Sequence, residues 1–150
     1  CAFLAHAATL ADRFGLSGRM LLAGSSAGAI SALNTLYLPA VLGLDRPPVA
    51  TVFAFSGGFA YPSRVTATGA RILALHSPGD GRVPVSSIRR LAARTPDPML
   101  LVEAEAQRHG EPTLHPAEPL AEAVARLVAF DRAEAPLTLP FAAPQEAGRC

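Results

Sequence analysis

Apolar residues follow two patterns along this chain. Four short runs are almost continuously apolar, which is typical of β-strands buried on both faces, and they predict strands at residues 19–23, 49–55, 71–76 and 98–104. Between and beside these runs, apolar residues recur at intervals of three and four, which is typical of amphipathic helices. This second pattern predicts helices at residues 2–14, 27–38, 85–94 and 118–132, with Pro39 ending the second of them.

The alternation of strands with helices predicts an α/β fold. Right-handed crossovers would join the strands into a mostly parallel sheet covered on both faces, a three-layer αβα sandwich. The chain has 150 residues, of which half are hydrophobic, so it is long enough for one domain with a buried core. We expect this domain to span residues 1–132. Residues 133–150 are rich in Pro and Ala without periodicity and are expected to form an extended or poorly ordered tail.

Charge and composition exclude several classes of protein. The net charge is +1 and no cluster of Lys and Arg occurs, so a nucleic-acid partner is not expected. No apolar run is long enough to cross a membrane, so we expect no membrane-spanning segment. The two cysteines, Cys1 and Cys150, and the four histidines do not have the spacing of metal ligands, so we expect no metal or organic cofactor.

The segment after the first predicted strand reads Gly24-Ser25-Ser26-Ala27-Gly28. A Gly-x-Ser-x-Gly sequence between a strand and a helix is typical of a tight turn that exposes the serine as a nucleophile, which makes Ser26 the candidate. Gly24 and Gly28 are both expected to be required, because the turn leaves no space for side chains beside the serine. The alternative is a Gly- and Ser-rich loop in which Ser25 or Ser26 only caps the helix.

A serine hydroxyl needs a base that takes its proton, and usually a carboxylate that orients the base. Asp80 is the candidate acid, because it lies in a glycine-flanked turn after the third strand, although Asp beside Gly is also common in ordinary turns. His109 and His115 both follow the fourth strand. We favour His109 as the base, because Gly110 lets the backbone bend there, and keep His115 as the alternative base. The two other histidines are interpreted as structural: His6 and His76.

These segments resemble the α/β-hydrolase family over roughly residues 2–132. The turn at Ser26 resembles the family's nucleophile elbow, residues 76–84 resemble its acid motif HG-x-x-D-x-x-V-P, and residues 108–110 resemble its terminal G-H-G loop. The order serine, acid, histidine is also the order of this family. The Ser-Ala-Gly sequence at the elbow looks most like carboxylesterases and acetyl- or feruloyl-type esterases.

The resemblance implies a serine hydrolase that cleaves small-molecule carboxylic esters, including fairly bulky ones, through an acyl-enzyme. It implies Ser26 as the nucleophile, His109 as general base and then general acid, and Asp80 as the residue that orients the imidazole. The backbone N–H of Ala27 is implied as one oxyanion-hole donor. Two alternatives remain, a serine peptidase of the prolyl-oligopeptidase type and a catalytically incomplete scaffold with the same fold.

The chain departs from the family pattern at two points. Arg108 replaces the glycine that usually precedes the histidine. The elbow follows the first predicted strand, whereas in the family it follows the fifth of eight strands. We therefore expect a fold that lacks the N-terminal strands and the loop with the second oxyanion donor. Residues 19–23 would then form an exposed apolar edge, through which this chain is expected to pair with another chain.

Overall fold

The computed structural model describes residues 2–103, 109 and 120–132, and it divides the chain into two compact units, Cys1–Pro112 and Thr113–Cys150. The first unit contains a sheet of four parallel strands whose spatial order is their order along the chain. The strands are β1 Met20–Ser25, β2 Val49–Phe55, β3 Arg71–His76 and β4 Met99–Glu103. All four predicted strands are confirmed. The predicted tail at residues 133–150 lies outside the described residues.

Four α-helices occur in the described part of the chain: α1 Ala2–Thr9, α2 Ala27–Val41, α3 Val85–Ala92 and, in the second unit, α4 Leu120–Arg132. The helix α1 is shorter than predicted, because a separate 3-10 turn occupies Asp12–Phe14. The expectation that Pro39 ends the second helix is wrong, since α2 continues through it to Val41. Proline removes only its own N–H from the helical hydrogen bonds, and the N–H of Leu42 still closes the last turn on the Leu38 carbonyl at 2.9 Å.

The core of the first unit lies between one face of the sheet and the helices α2 and α3. Alternate residues of the central strands pack in one cluster with both helices: Val52, Ala54, Ile72, Ala74, Leu33, Leu36, Ile88 and Leu91. Right-handed crossovers between strands in chain order place successive helices on the same face. Phe53, Leu73 and Leu75 point to the opposite face and are buried as well. The α/β fold with a parallel sheet is therefore confirmed.

A buried carboxylate joins three segments at the amino edge of the sheet. Asp97, before β4, accepts hydrogen bonds from the backbone N–H groups of Thr68 and Gly69 at 2.7 and 2.9 Å. It also accepts from the Thr68 hydroxyl at 2.6 Å and from the Tyr37 hydroxyl of α2 at 3.1 Å. Burial is the largest of the effects that raise the pKa of Tyr37, so the phenol stays protonated as a donor. At the amino edge of the sheet, these polar groups therefore satisfy one another's hydrogen-bonding capacity.

Candidate active site

Three side chains that are distant in sequence meet at the carboxyl edge of the sheet. Ser26 follows β1, Asp80 lies in the turn after β3, and His109 lies beyond β4. Parallel strands bring these three chain segments to the same edge. The Oγ of Ser26 is 2.7 Å from Nε2 of His109, and Nδ1 of His109 is 2.7 Å from Oδ2 of Asp80. The structure therefore brings together the three residues that the sequence analysis singled out.

The hydrogen-bond partners of His109 indicate where its proton lies. An ionised carboxylate can only accept a hydrogen bond, so Nδ1 of His109 donates to Asp80. In the neutral ring, Nε2 then carries the lone pair, which accepts the hydrogen of the Ser26 hydroxyl. The ring is largely enclosed, with 15% of the side chain exposed. In that state the Ser26 hydroxyl directs its hydrogen at Nε2, which is the direction that proton transfer from serine to histidine requires.

Ser26 occupies a strained turn between β1 and α2. Its φ of 54° and ψ of −118° lie in a region that non-glycine residues rarely adopt. The Ser26 N–H donates to the Phe55 carbonyl of β2 at 2.8 Å, and the Ser26 carbonyl accepts from the Ile30 N–H of α2 at 3.0 Å. Although Ser26 precedes the first residue of α2, its hydroxyl makes no capping hydrogen bond. The hydroxyl is used for the contact with His109 instead.

Gly24 is the glycine that this turn requires. A Cβ at Gly24 would lie 2.3 Å from the carbonyl carbon of Gly28 and 2.7 Å from the nitrogen of Ala29. These are backbone atoms, so no side-chain movement can make room. The expectation that Gly28 has the same requirement is wrong, because no described atom lies within 4 Å of a Cβ added there. The close approach is made by the backbone of Gly28, whose own Cβ direction is open.

Asp80 is held as a buried anion. Its side chain accepts the N–H groups of Arg82 and Val83 on Oδ1 at 2.8 and 2.9 Å, and its other oxygen faces His109. Burial alone raises the pKa of Asp80, but the hydrogen bonds from Val83, His109 and Arg82 outweigh it, and the net shift is downward. The carboxylate is therefore ionised at neutral pH and able to orient the His109 ring.

The remaining candidate residues have different positions. Ala27, the first residue of α2, follows Ser26 directly and is exposed. The N–H groups of a first helical turn have no acceptor within the helix, so the Ala27 N–H is suited to an oxyanion. His6 is exposed on α1, whereas His76 is fully buried at the end of β3. His115 lies outside the described residues.

The end of β2 supports the elbow, although its residues received no role from the sequence. The carbonyl of Phe55 holds the Ser26 N–H, as described above. The next residue, Ser56, is fully buried and also has a positive φ, of 50°. A Cβ at Gly57 would lie 2.5 Å from the Cβ of Ala29 on α2. The Gly-Gly pair after a buried strand is the signal that indicates this close packing.

The described residues hold neither a candidate metal site nor a candidate membrane-spanning helix. No group of three or more His, Cys, Asp or Glu side chains there has a geometry that would hold a metal ion. Among the helices in the same part of the chain, none combines the length and apolar character needed to cross a membrane.

Solved structures with the same architecture include two esterases and a hydrolase. Esterase PE8 matches 85% of this chain and 58% of its own chain, with a TM-score of 0.52 and 24% identity. Thermogutta terrifontis esterase 2 matches 96% of this chain and 65% of its own, with a TM-score of 0.59 and 16% identity. A putative dienelactone hydrolase from Klebsiella pneumoniae matches 87% of this chain and 59% of its own, with a TM-score of 0.56 and 18% identity. This chain has the α/β-hydrolase fold.

The chain spans about three fifths of the length of these structural neighbours, from 58% to 65%. No family model matches the sequence, and no curated protein matches it by sequence. The resemblance to α/β hydrolases is confirmed as a resemblance of fold. What an α/β hydrolase does depends on the residues at its own site.

The packing at the elbow predicts opposite outcomes for the two glycines. Gly24→Ala should lower the free energy of unfolding by at least about 2 kcal/mol, because the new methyl group overlaps backbone atoms. Gly28→Ala is the matched control and should leave stability unchanged or raise it slightly, because Ala is the better helix former. Urea unfolding followed by circular dichroism measures both. Equal losses in the two variants would contradict the packing described here.

The environment of Asp80 predicts a pH-dependent contribution to stability. Its pKa is lowered in the folded protein, so the ionised carboxylate stabilises the fold above the unfolded pKa of about 3.9, and this contribution is lost as pH falls through the folded pKa. The stability advantage over Asp80→Asn should therefore be largest above about pH 5 and shrink as pH falls below about 4. Urea unfolding measured from above about pH 5 to below about pH 4 follows this change, with the exposed loop variant Asp45→Asn as control. An advantage that grows on acidification would refute the assignment.

Proposed function

We propose that this protein is a serine hydrolase that cleaves carboxylic esters through an acyl-enzyme on Ser26. The observation that carries the proposal is the 2.7 Å contact between the Ser26 Oγ and the His109 Nε2, on a ring whose other nitrogen faces Asp80. Support also comes from the structural neighbours, two of which are named as esterases. A small-molecule ester is the substrate class that agrees with both.

Acylation follows from the positions of these groups. The Ser26 Oγ attacks the ester carbonyl carbon while its proton passes to Nε2 of His109. The ring then carries a positive charge, which the ionised Asp80 beside Nδ1 stabilises without taking the proton. The negative oxygen of the tetrahedral intermediate is stabilised by the Ala27 N–H at the positive end of α2. The carbon–oxygen bond to the alcohol breaks, and Nε2 returns the proton to the leaving oxygen.

Deacylation uses the same groups with water in place of the serine. His109 takes a proton from water, whose oxygen attacks the acyl carbon, and the bond to the Ser26 Oγ breaks. Nε2 returns the proton to the serine oxygen, and the acid product leaves. The enzyme is regenerated without a cofactor. Each step needs only the proton positions that the hydrogen-bond partners of His109 define.

The proposal predicts different behaviour for two adjacent serines. Ser26→Ala should abolish labelling by a fluorophosphonate probe and lower the turnover of a p-nitrophenyl acyl ester by at least about 10³-fold. Ser25→Ala is the matched control, because Ser25 ends β1 and is exposed. It should retain activity within about threefold of the unsubstituted protein, on the scale of variants that touch no catalytic group. Labelling that persists in Ser26→Ala would refute the proposal.

The same assay separates the alternative substrate class. Hydrolysis of an ester is compared with that of the anilide that has the same acyl group. We expect turnover of the ester and much slower turnover of the anilide, whose leaving group is poorer. A preference for the anilide would favour the peptidase alternative, and a protein that neither turns over nor is labelled would favour the non-catalytic scaffold.

A further inference from the structure

His76 lies directly behind the proposed acid and is fully buried at the end of β3. Its Nε2 is 2.9 Å from the Val83 carbonyl oxygen and 3.5 Å from Oδ2 of Asp80. A carbonyl can only accept, so Nε2 must carry a proton. The same N–H therefore points at Val83 and lies beside the carboxylate oxygen that faces His109.

The second ring nitrogen of His76, Nδ1, gives no reason for a histidine at this position. Its Nδ1 is buried and has no hydrogen-bond partner among the described residues. An apolar side chain of the same volume would avoid this unsatisfied polar atom, so packing alone does not favour an imidazole here. The feature that distinguishes histidine at this position is the single N–H at Nε2.

The peptide group of Val83 connects His76 with Asp80. The Val83 N–H donates to Oδ1 of Asp80 at 2.9 Å, and the Val83 carbonyl accepts from His76 at 2.9 Å. The turn that carries the acid is thus held from both sides, by its own carboxylate and by the buried imidazole. Without the N–H of His76, one of these two attachments is lost and the Val83 carbonyl loses its described partner.

We propose that His76 is a positioning residue of the active site. Its Nε2–H fixes the turn from Asp80 to Val83 and places the Asp80 carboxylate at hydrogen-bond distance from His109. This inference rests on the proposed function for its kinetic readout. It assigns a role to a histidine that the sequence presents as merely structural.

Two amide variants test the role of this N–H. The side-chain nitrogen of glutamine reaches the place of Nε2, whereas that of asparagine reaches only the place of Nδ1. His76→Gln should therefore keep kcat for the p-nitrophenyl ester within about threefold, and His76→Asn should lower kcat by about 10- to 100-fold, on the scale of small displacements of catalytic groups. KM should change little in either variant, because the substrate does not touch His76. The rate of fluorophosphonate labelling should follow kcat.

Every other kinetic pattern overturns the proposal. If both variants retain kcat, the N–H is not needed, and if both lose it equally, the position of the donor is irrelevant. A loss confined to His76→Gln also contradicts it. Circular dichroism and urea unfolding verify that both variants fold.

A measurement on the unsubstituted protein tests the inference without any variant and without activity. Nitrogen-15 NMR of the histidine rings should show a proton on Nε2 of His76. A ring without a proton on Nε2 would overturn the proposal. If the protein neither turns over esters nor reacts with the probe, the proposed function fails, while the NMR result still decides whether His76 holds the Val83 carbonyl.

Discussion

The strained conformation of Ser26 is the constraint on which the site depends. A positive φ at a non-glycine residue costs about 1–3 kcal/mol, and surrounding contacts must maintain it. Here the Phe55 carbonyl holds the Ser26 N–H, while α2 begins at once and binds the Ser26 carbonyl through Ile30. Gly24 allows the backbone of α2 to approach the strand, since a Cβ there would overlap it. The result is a hydroxyl that turns away from helix capping and toward His109.

The parallel sheet brings the turn at Ser26 together with Asp80 and His109. Ser26 and His109 are separated by 83 positions in the chain, and Asp80 lies 29 positions before His109. Antiparallel strands would send successive turns to opposite edges, whereas parallel strands in chain order return each segment to the same edge. The two edges also differ in their polar chemistry. At the amino edge Asp97 is satisfied by donors that hold neighbouring segments together. At the carboxyl edge the corresponding buried carboxylate, Asp80, faces an imidazole that contacts the Ser26 hydroxyl.

Much of the fold and of the candidate site could be predicted, because both depend on patterns that side chains display. Continuous apolar runs predicted the strands, and glycine-flanked turns indicated Ser26 and Asp80. The preference for His109 over His115 rested on Gly110, since both histidines follow the fourth predicted strand in the sequence. Three other features were missed for physical reasons. The contacts of Phe55 and Val83 use backbone groups, which every residue has. The open space beside Gly28 depends on tertiary geometry, which the local sequence does not display. The hydrogen-bond partner of His76 is a backbone carbonyl seven residues away.

The strand that leads into Ser26, the proposed nucleophile, is also the outer strand of the described sheet. Among the described strands, β1 pairs only with β2, and its Leu21 is 42% exposed on the face opposite α2. Strand edges of this kind favour pairing with a further strand, so the predicted association through β1 keeps its physical basis. Because β1 leads directly into Ser25 and Ser26, one end of a strand added at this edge would lie beside the proposed nucleophile.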